Sequence, residues 1–224
     1  MLLADSRFPA GGYAHSLGLE QAVGDGLGVD DVAGFIDARL RLVARADASL
    51  SVAARRSAAG SARAGLDRAC AAALAALDAE HAARCPSPVL REIARRLGAQ
   101  LLRSAATAWP SPLIDGYRAA SAATPRPVAL GVVGAAAGLD DRAVATVALY
   151  DDAATVASAA LKLLGLDPAE SARWVAELAP EIDAAARAIG ADERPLCEQE
   201  PPAAAGLELA ASLHAQRTER FFAS

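Results

Sequence analysis

Apolar residues recur every three or four positions along most of the chain, and glycine or proline separates these stretches. Such spacing places apolar side chains on one face of a helix, so each stretch predicts one helix. The predicted helices cover residues 16–23, 30–59, 66–83, 88–108, 114–122, 128–139, 141–164 and 168 onward. We therefore expect an all-α fold, a single-domain bundle of about eight to ten helices with a partly flexible C-terminal tail.

Short polar and proline signals mark several of these helix ends. Ser87 precedes Pro88, Asp167 precedes Pro168, and Asp140 comes directly before another apolar run. Ser and Asp side chains cap helix N-termini, and Pro is favoured at the first helical position. Within the last helix, Pro180 is expected to cause a kink.

Residues 128–139 differ from the other helices because they are almost wholly apolar and contain Gly131, Gly134 and Gly138. A helix that is apolar on every side is usually buried. We expect this helix at the centre of the bundle, where its small residues let neighbouring backbones come close.

The last part of the chain has a different character. We assign residues 1–190 to one all-helical domain, 191–205 to a linker with three prolines, and 206–224 to a C-terminal tail. Phe221 and Phe222 near its end are costly to leave in water, since full burial of such a side chain contributes about 1.5–3 kcal/mol. They are expected to dock either on the protein's own body or on a partner.

Composition narrows the class of protein. Hydrophobic residues make up 54% of the chain and aromatic residues only 4%, which favours close helix packing over a β-sandwich. The net charge of -5 and a single lysine, Lys162, argue against nucleic-acid binding. Arginine pairs beside acidic residues are interpreted as solvated helix faces; they are Arg39 with Arg41, Arg55 with Arg56, and Arg95 with Arg96.

Three cysteines without paired spacing favour a reduced, cytoplasmic setting. The N-terminus has no basic leader before an apolar run, and no uncharged stretch approaches the ~18 apolar residues of a spanning helix. We expect neither secretion nor a membrane span.

Few residues suit catalysis. The three histidines, His15, His81 and His214, form neither an HxH nor an HExxH pattern, so a metal site would have to be assembled across the fold or between subunits. Gly11-Gly12 before a helix is a weak match to a phosphate cradle, because no Gly-Lys-Ser/Thr follows. The acidic pairs at 140–141 and 151–152 are interpreted as caps and surface charge.

The stretch from Asp5 to Glu20 is the most unusual part of the chain. A bend at Phe8-Pro9 and the glycine pair at 11–12 lead into a helix start, where His15 or Ser16 is in position to act as N-cap. Glu20 falls in the first turn, near the positive end of the helix dipole. This stretch, which we call the opening motif (residues 5–20), suits a binding surface or a buried anchor.

The opening motif and the tail together resemble the urease accessory protein UreF family, in a short, actinobacterial-type form. The first follows the family pattern D-S-x-x-P-x-G-x-x-x-H-S-x-G-L-E, and Arg220-Phe221-Phe222-Ala223-Ser224 is similar to the terminal R-L-F/Y-x-S. The segment Pro127–Gly131 is similar to a mid-chain family segment. One departure follows Lys162: the family's basic residue is kept, but the P-L-G/S-Q turn after it is replaced by Leu163-Leu164-Gly165.

The resemblance implies an all-helical, homodimeric chaperone that binds UreD (also called UreH) and recruits the GTPase UreG, so that nickel reaches apo-urease. It implies a scaffold with no catalytic residues, no cofactor and no metal of its own: nickel is cargo, and GTP and Mg belong to UreG. No nucleic acid or membrane takes part.

The family also assigns roles to particular residues. Tyr13 and Arg220 match positions in the surface that recruits UreG, so the opening motif and the tail are each expected to supply half of it. Lys162 matches a proofreading or gating residue. The motif residues expected to support the loop are Asp5, Ser6, Pro9, Gly11, His15, Ser16, Gly18 and Glu20, and the tail residues expected to bind UreD are Arg217, Phe221, Phe222 and Ser224.

Two other classes of protein fit the residues. One is an all-α enzyme with an active site inside the bundle, built from His15, Glu20 and the Asp151-Asp152 pair. The other is a general helical interaction domain unrelated to nickel.

Overall fold

The chain is helical throughout most of its length. The computed structural model describes residues 2–5, 8–121, 123–199, 206, 209, 210, 213, 221 and 222, and at Tyr13 it describes the backbone alone. The α-helices are α1 (Leu19–Gly24), α2 (Val32–Arg39), α3 (Arg45–Ala58), α4 (Arg68–Arg84), α5 (Pro88–Ala108), α6 (Pro112–Ala120), α7 (Arg126–Ala136), α8 (Asp141–Leu164) and α9 (Pro168–Ala191). No described residue lies in a strand, and the all-α class is confirmed.

Local capping chemistry sets several helix boundaries where the sequence predicts them. The Ser87 hydroxyl accepts the Leu90 N–H at 3.4 Å at the start of α5. The Asp140 carboxylate accepts the Ala143 N–H at 2.7 Å before α8, and Asp167 caps α9 in the same way. These three predicted helix starts are confirmed.

The largest differences from the predicted helices lie in the first quarter of the chain, whereas other helix ends shift by two or three residues. The first helix begins at Leu19 rather than at residue 16, because Gly18 has a left-handed backbone with φ of 93°. The predicted long helix over 30–59 is divided: a π-helical turn, Leu40–Ala44, joins α2 to α3. The last helix, α9, continues through Pro180 to Ala191, and the kink there stays a prediction.

Helix α7 lies at the centre of the molecule, as predicted. Every residue from 127 to 135 is buried, and the helix packs against α3 and α5, while α8 packs against α3 and α9. A Cβ on Gly131 would lie 2.4 Å from the Ser51 carbonyl oxygen and 2.5 Å from the Ala54 Cβ. The small residue therefore lets the backbones of α7 and α3 come close.

Replacing Gly131 by Ala is expected to lower the free energy of unfolding by about 1–3 kcal/mol, because the added methyl group must push the two helices apart. Gly34→Ala in α2 is the matched control, since no atom lies within 4 Å of its added Cβ. That control is expected to stabilise the protein by about 0.5–1 kcal/mol. Urea denaturation followed by circular dichroism measures both; equal midpoints for Gly131→Ala and the wild type would contradict the close approach.

The three cysteines, all in described segments, are free thiols, and Cys70 is buried.

Helix α8 is long and apolar enough to cross a membrane by length and composition, yet 50% of its most apolar window is buried inside the molecule. Burial of this kind is typical of a core helix.

The division of the chain into residues 1–190, 191–205 and 206–224 stays a prediction. Within the described part, α9 ends at Ala191 and a 3-10 turn follows at Leu196–Glu198. The side chain of Leu196 is buried against the core. Residues 200–205 and most of the tail lie outside the described residues.

Candidate protein-interaction site

The described part of the opening motif is a compact loop that contains three left-handed residues. Gly11, with φ of 87°, precedes a 3-10 helix at Gly12–Ala14, and Leu17 and Gly18 follow with φ of 53° and 93°. The last of these is the N-cap residue of α1, so neither predicted candidate, His15 nor Ser16, occupies that position. The hydroxyl of Ser16 nevertheless accepts the Glu20 N–H at 3.3 Å and completes the helix start.

Helix α5 anchors the first half of the motif. The Pro9 carbonyl accepts a hydrogen bond from Ser104 Oγ at 2.7 Å and another from Gln100 Nε2 at 3.2 Å. A Cβ on Gly11 would lie 2.8 Å from Gln100 Oε1. The loop therefore rests closely on α5, and position 11 needs glycine for both its φ angle and its space.

Arg39, at the end of α2, anchors the second half of the motif. Its Nη1 donates to the Leu17 carbonyl at 2.9 Å, and its Nε and Nη2 donate to the two carboxylate oxygens of Asp152 at 3.1 and 2.6 Å. A left-handed residue other than glycine costs on the order of 1–3 kcal/mol, so the surroundings must hold Leu17 in place. The guanidinium does so by fixing the loop to α8.

Two predictions about charged residues are wrong here. Arg39 was expected on a solvated face, but its side chain is only 8% exposed. Asp151 and Asp152 were expected as caps or surface charge, but the first pairs with Arg126 at 2.8 Å and the second with Arg39. Adjacent residues on a helix point about 100° apart. Both carboxylates can nevertheless be paired, because neighbouring segments that carry Arg126 and Arg39 pack on two different sides of α8.

A second charge cluster repeats this pattern at the N-terminus of α8. Asp141 accepts hydrogen bonds from Arg55 at 2.6 Å and from Arg56 at 2.7 Å. These arginines and this carboxylate are partly buried, so their assignment to a solvated face is also wrong. Asp140, in contrast, is the predicted helix cap.

The pKa values of two groups near the motif differ from their ordinary values. Burial, reinforced by the positive charge of Arg126, lowers the pKa of His15. The imidazole is therefore neutral at pH 7. Burial, reinforced by the charge of Asp152, raises the pKa of Asp47 to about 7 against the opposing effect of Arg39 and Arg126. Asp47 therefore changes its charge near neutral pH.

The C-terminal tail meets the opening motif at Glu20. Its two carboxylate oxygens accept the backbone N–H groups of Phe221 at 2.8 Å and Phe222 at 3.1 Å. Phe222 is 6% exposed and packs in the core, with Lys162 Nζ 5.1 Å from its ring centroid, whereas Phe221 is 88% exposed. The two phenylalanines therefore differ: the Phe222 ring docks on the protein itself, and the Phe221 ring faces solvent.

Some predicted site residues lie outside what the structure describes. Asp5 and Pro9 belong to the described loop, and His15, Ser16 and Glu20 are buried within it. The part of the motif formed by His15, Ser16 and Glu20 is therefore a buried anchor. The predicted surface of Tyr13 and Arg220 stays a prediction, because the following lie outside the described residues: the side chain of Tyr13, and Ser6, Arg217, Arg220 and Ser224.

Sequence reasoning missed the ionic support of the motif. The omitted residues are Arg39, Asp47 and Arg126, together with Gln100 and Ser104 on α5. A signal existed for the first two, because Arg39 and Asp47 fall at helical spacing among Ile36, Val43 and Leu50, on the apolar face. A charge on such a face must be paired if the face is buried.

No metal-binding cluster is evident in the described part of the chain. Nowhere among those residues do three or more His, Cys, Asp or Glu side chains come together as potential ligands. His214 lies outside the described residues. The contacts described above are ion pairs, backbone hydrogen bonds and apolar packing, which suit the holding and presentation of protein segments.

Comparison with known proteins agrees with the resemblance seen in the sequence. The UreF family model matches residues 28–179. The chain is 37% identical over 227 residues to the urease accessory protein UreF of Mycolicibacterium vanbaalenii, with 100% of this chain and 97% of the relative covered. It is 37% identical over 226 residues to that of Mycobacterium sp. strain JLS and 34% identical over 228 residues to that of Mycobacterium marinum, with the same coverage.

These alignments include the opening motif and the tail as well as the helical body. They also separate the chain from a general helical interaction domain, since the relatives share its whole length. The chain therefore belongs to the UreF family of urease accessory proteins.

Proposed function

We propose that this urease accessory protein is a non-catalytic scaffold, which binds UreD and recruits and regulates the GTPase UreG so that nickel reaches apo-urease. In this proposal nickel is cargo of the complex, and GTP and Mg are bound by UreG. Tyr13 and Arg220 form the UreG-binding surface, and the tail contributes to UreD binding.

The observation that carries the proposal is the contact between the two ends of the chain. Phe221 directly follows Arg220, and consecutive Cα atoms are about 3.8 Å apart. The Phe221 N–H lies 2.8 Å from the Glu20 carboxylate, at the end of the motif that contains Tyr13. Tyr and Arg are enriched among the residues that dominate binding energy in interfaces.

The enzyme alternative loses support from the same geometry. Its active site would use His15, Glu20 and the acidic pair at 151–152. Asp151 and Asp152 each accept hydrogen bonds from an arginine, and Glu20 accepts two backbone N–H groups of the tail. Carboxylates held in this way support structure and are poorly placed to take a proton from a substrate.

The proposed setting is the cytoplasm, and the proposed assembly is a homodimer that carries UreD and UreG. Free thiols suit a reducing compartment, and the buried α8 suits a core helix. The acidic net charge of -5 gives no basis for nucleic-acid binding.

Tyr13→Ala and Arg220→Ala are expected to weaken capture of UreG by the complex of this chain with UreD by roughly 30-fold, the effect of a hot-spot residue worth about 2 kcal/mol. Co-purification of the full chains, quantified by titration of UreG, measures the loss. Urease co-expressed with all accessory proteins should lose nickel in parallel.

Matched controls test whether the effect is local. Tyr150→Ala and Arg96→Ala remove the same residue types from exposed positions on α8 and α5. Both are expected to capture UreG as the wild type does. Undiminished capture by both Tyr13→Ala and Arg220→Ala would contradict the assignment of the surface, and unchanged urease nickel without this chain would contradict the proposed function itself.

A further inference from the structure

We infer that Glu20, Lys162 and the pocket of Phe222 form a latch that positions the tail for recruitment of the GTPase. We call Glu20, Lys162 and Phe222 the tail latch, and the inference rests on the proposed function. The parts come from α1, from the last turn of α8 and from the end of the chain.

The carboxylate of Glu20 binds the backbone of the tail at its two described terminal residues, Phe221 and Phe222. Its Oε1 accepts the Phe221 N–H and its Oε2 accepts the Phe222 N–H, at 2.8 and 3.1 Å. Consecutive N–H groups that converge on one anion form an anion-binding concavity, and hydrogen bonds to ionised groups are the strong ones. This contact therefore fixes the direction of the chain at two successive residues.

Phe222 sets how far along the tail the contact forms. Its ring is buried against the core, and the ammonium of Lys162 lies 5.1 Å from the ring centroid, within the range of a cation–π interaction. Sliding the tail by one residue would put either Ala223 or Phe221 in the pocket in place of Phe222. The small Ala223 would leave a void, and Phe221, which is 88% exposed, would have to bury its ring instead. The ring and the lysine thus fix the register that the Glu20 contact alone would leave open.

The consequence concerns the residue just before the latch. Arg220 is one peptide unit from the amide held by Glu20, so a fixed register limits where its Cα can lie. Pre-organising a binding residue improves affinity by reducing the entropy lost on association. Glu20, Lys162 and Phe222 are accordingly positioning residues, and they need not touch the GTPase themselves.

The test combines amide hydrogen exchange of the full-length chain with UreG titration of its UreD complex. Phe222→Ala and Glu20→Ala are expected to raise exchange at residues 221 and 222 by roughly ten-fold or more, since they remove the anchor or the acceptor. Glu20→Gln should fall between, because an amide keeps one acceptor oxygen and loses the charge. Each variant should weaken UreG capture in the same order.

Two controls separate positioning from general stability. Phe221→Ala removes an exposed ring but keeps the backbone N–H, so amide exchange at residue 222 of the free chain should match the wild type. Only exchange is compared for this variant, because Phe221 belongs to the tail that is proposed to bind UreD. Lys162→Arg keeps a cation for the ring and should preserve protection, whereas Lys162→Met should not. Amide exchange within α1 checks that this helix remains folded in the Glu20 variants, and Phe222→Ala repeats the test without altering that helix.

The outcomes distinguish the latch from the proposed function. Unchanged exchange in Phe222→Ala and Glu20→Ala would overturn the latch, as would normal UreG capture by a chain whose tail exchanges freely. Failure of the wild-type complex to capture UreG, with the exchange pattern as expected, would instead overturn the proposed function and with it the role of the latch in recruitment.

Discussion

Replacing Arg39 by Ala is expected to lower the free energy of unfolding by about 3–5 kcal/mol, because the partner of a buried ion pair is then left uncompensated. Asp152 loses both of its hydrogen bonds from the guanidinium, and its charge stays close to Asp47. The Leu17 carbonyl loses its donor as well. Urea denaturation at pH 7 measures the loss, and the opening motif should exchange its amide hydrogens faster.

Arg41→Ala is the matched control, two residues further along the same helical segment. Its side chain is 58% exposed and pairs with Asp37 and Glu181 at the surface, where an ion pair contributes about 0–1 kcal/mol. The double variant Arg39→Met with Asp152→Leu should recover most of the lost stability, since a buried pair can be replaced by apolar residues at little cost. A loss for Arg39→Ala no greater than for Arg41→Ala would contradict the anchoring role.

The sequence is sufficient to predict the helices because their boundaries depend on neighbouring residues. Ser87 and Asp140 cap their helices through hydrogen bonds to amides three residues ahead. The burial of α7 follows equally from its own composition. The π-helical turn at Leu40–Ala44 was not predicted, because it lies within an uninterrupted helical pattern and no local residue type marks it.

The candidate site was predictable only in part, for a physical reason. The opening motif and the tail could be recognised from their residues, but their contact joins positions 201 and 202 residues apart. The pair of Arg39 with Asp152 spans 113 residues, and a charged residue on a helix has the same sequence signal whether solvent or another helix covers it. The ionic support of the motif therefore required the packing of α2 on α8.

Asp47 is expected to make the protein less stable as the pH rises from about 4 to about 7. The ordinary pKa of its carboxyl is 3.8, and burial beside Asp152 raises it to about 7 in the folded state. In this window the unfolded chain has lost the proton while the folded chain still holds it, so the free energy of unfolding falls with rising pH. Because Asp47 is only half-buried, solvent partly screens its charge, and we expect the free energy of unfolding to fall by about 2–4 kcal/mol in total.

Asp47→Asn removes this ionisation and is expected to stabilise the protein at pH 8 by about 2–4 kcal/mol, with little effect at pH 4. The difference between variant and wild type must be used, because His81 acts in the same window with the opposite sign. Burial, reinforced by Arg95 and Arg91, lowers the pKa of His81 to about 4, so its contribution is lost as the pH falls below 6.5. Since His81 is present in both chains, its contribution cancels in the difference.

Asp30→Asn provides the matched control, because it removes one carboxylate from an exposed position before α2. A surface substitution of this kind is expected to change stability by less than about 0.5 kcal/mol at either pH. Urea denaturation of the three proteins at pH 4, 6 and 8 gives the required differences. A stability gain for Asp47→Asn that is equal at all three pH values would point to a packing effect. A loss of stability at pH 8 would show that the ionised carboxylate is favourable beneath the opening motif. Either result would contradict the prediction.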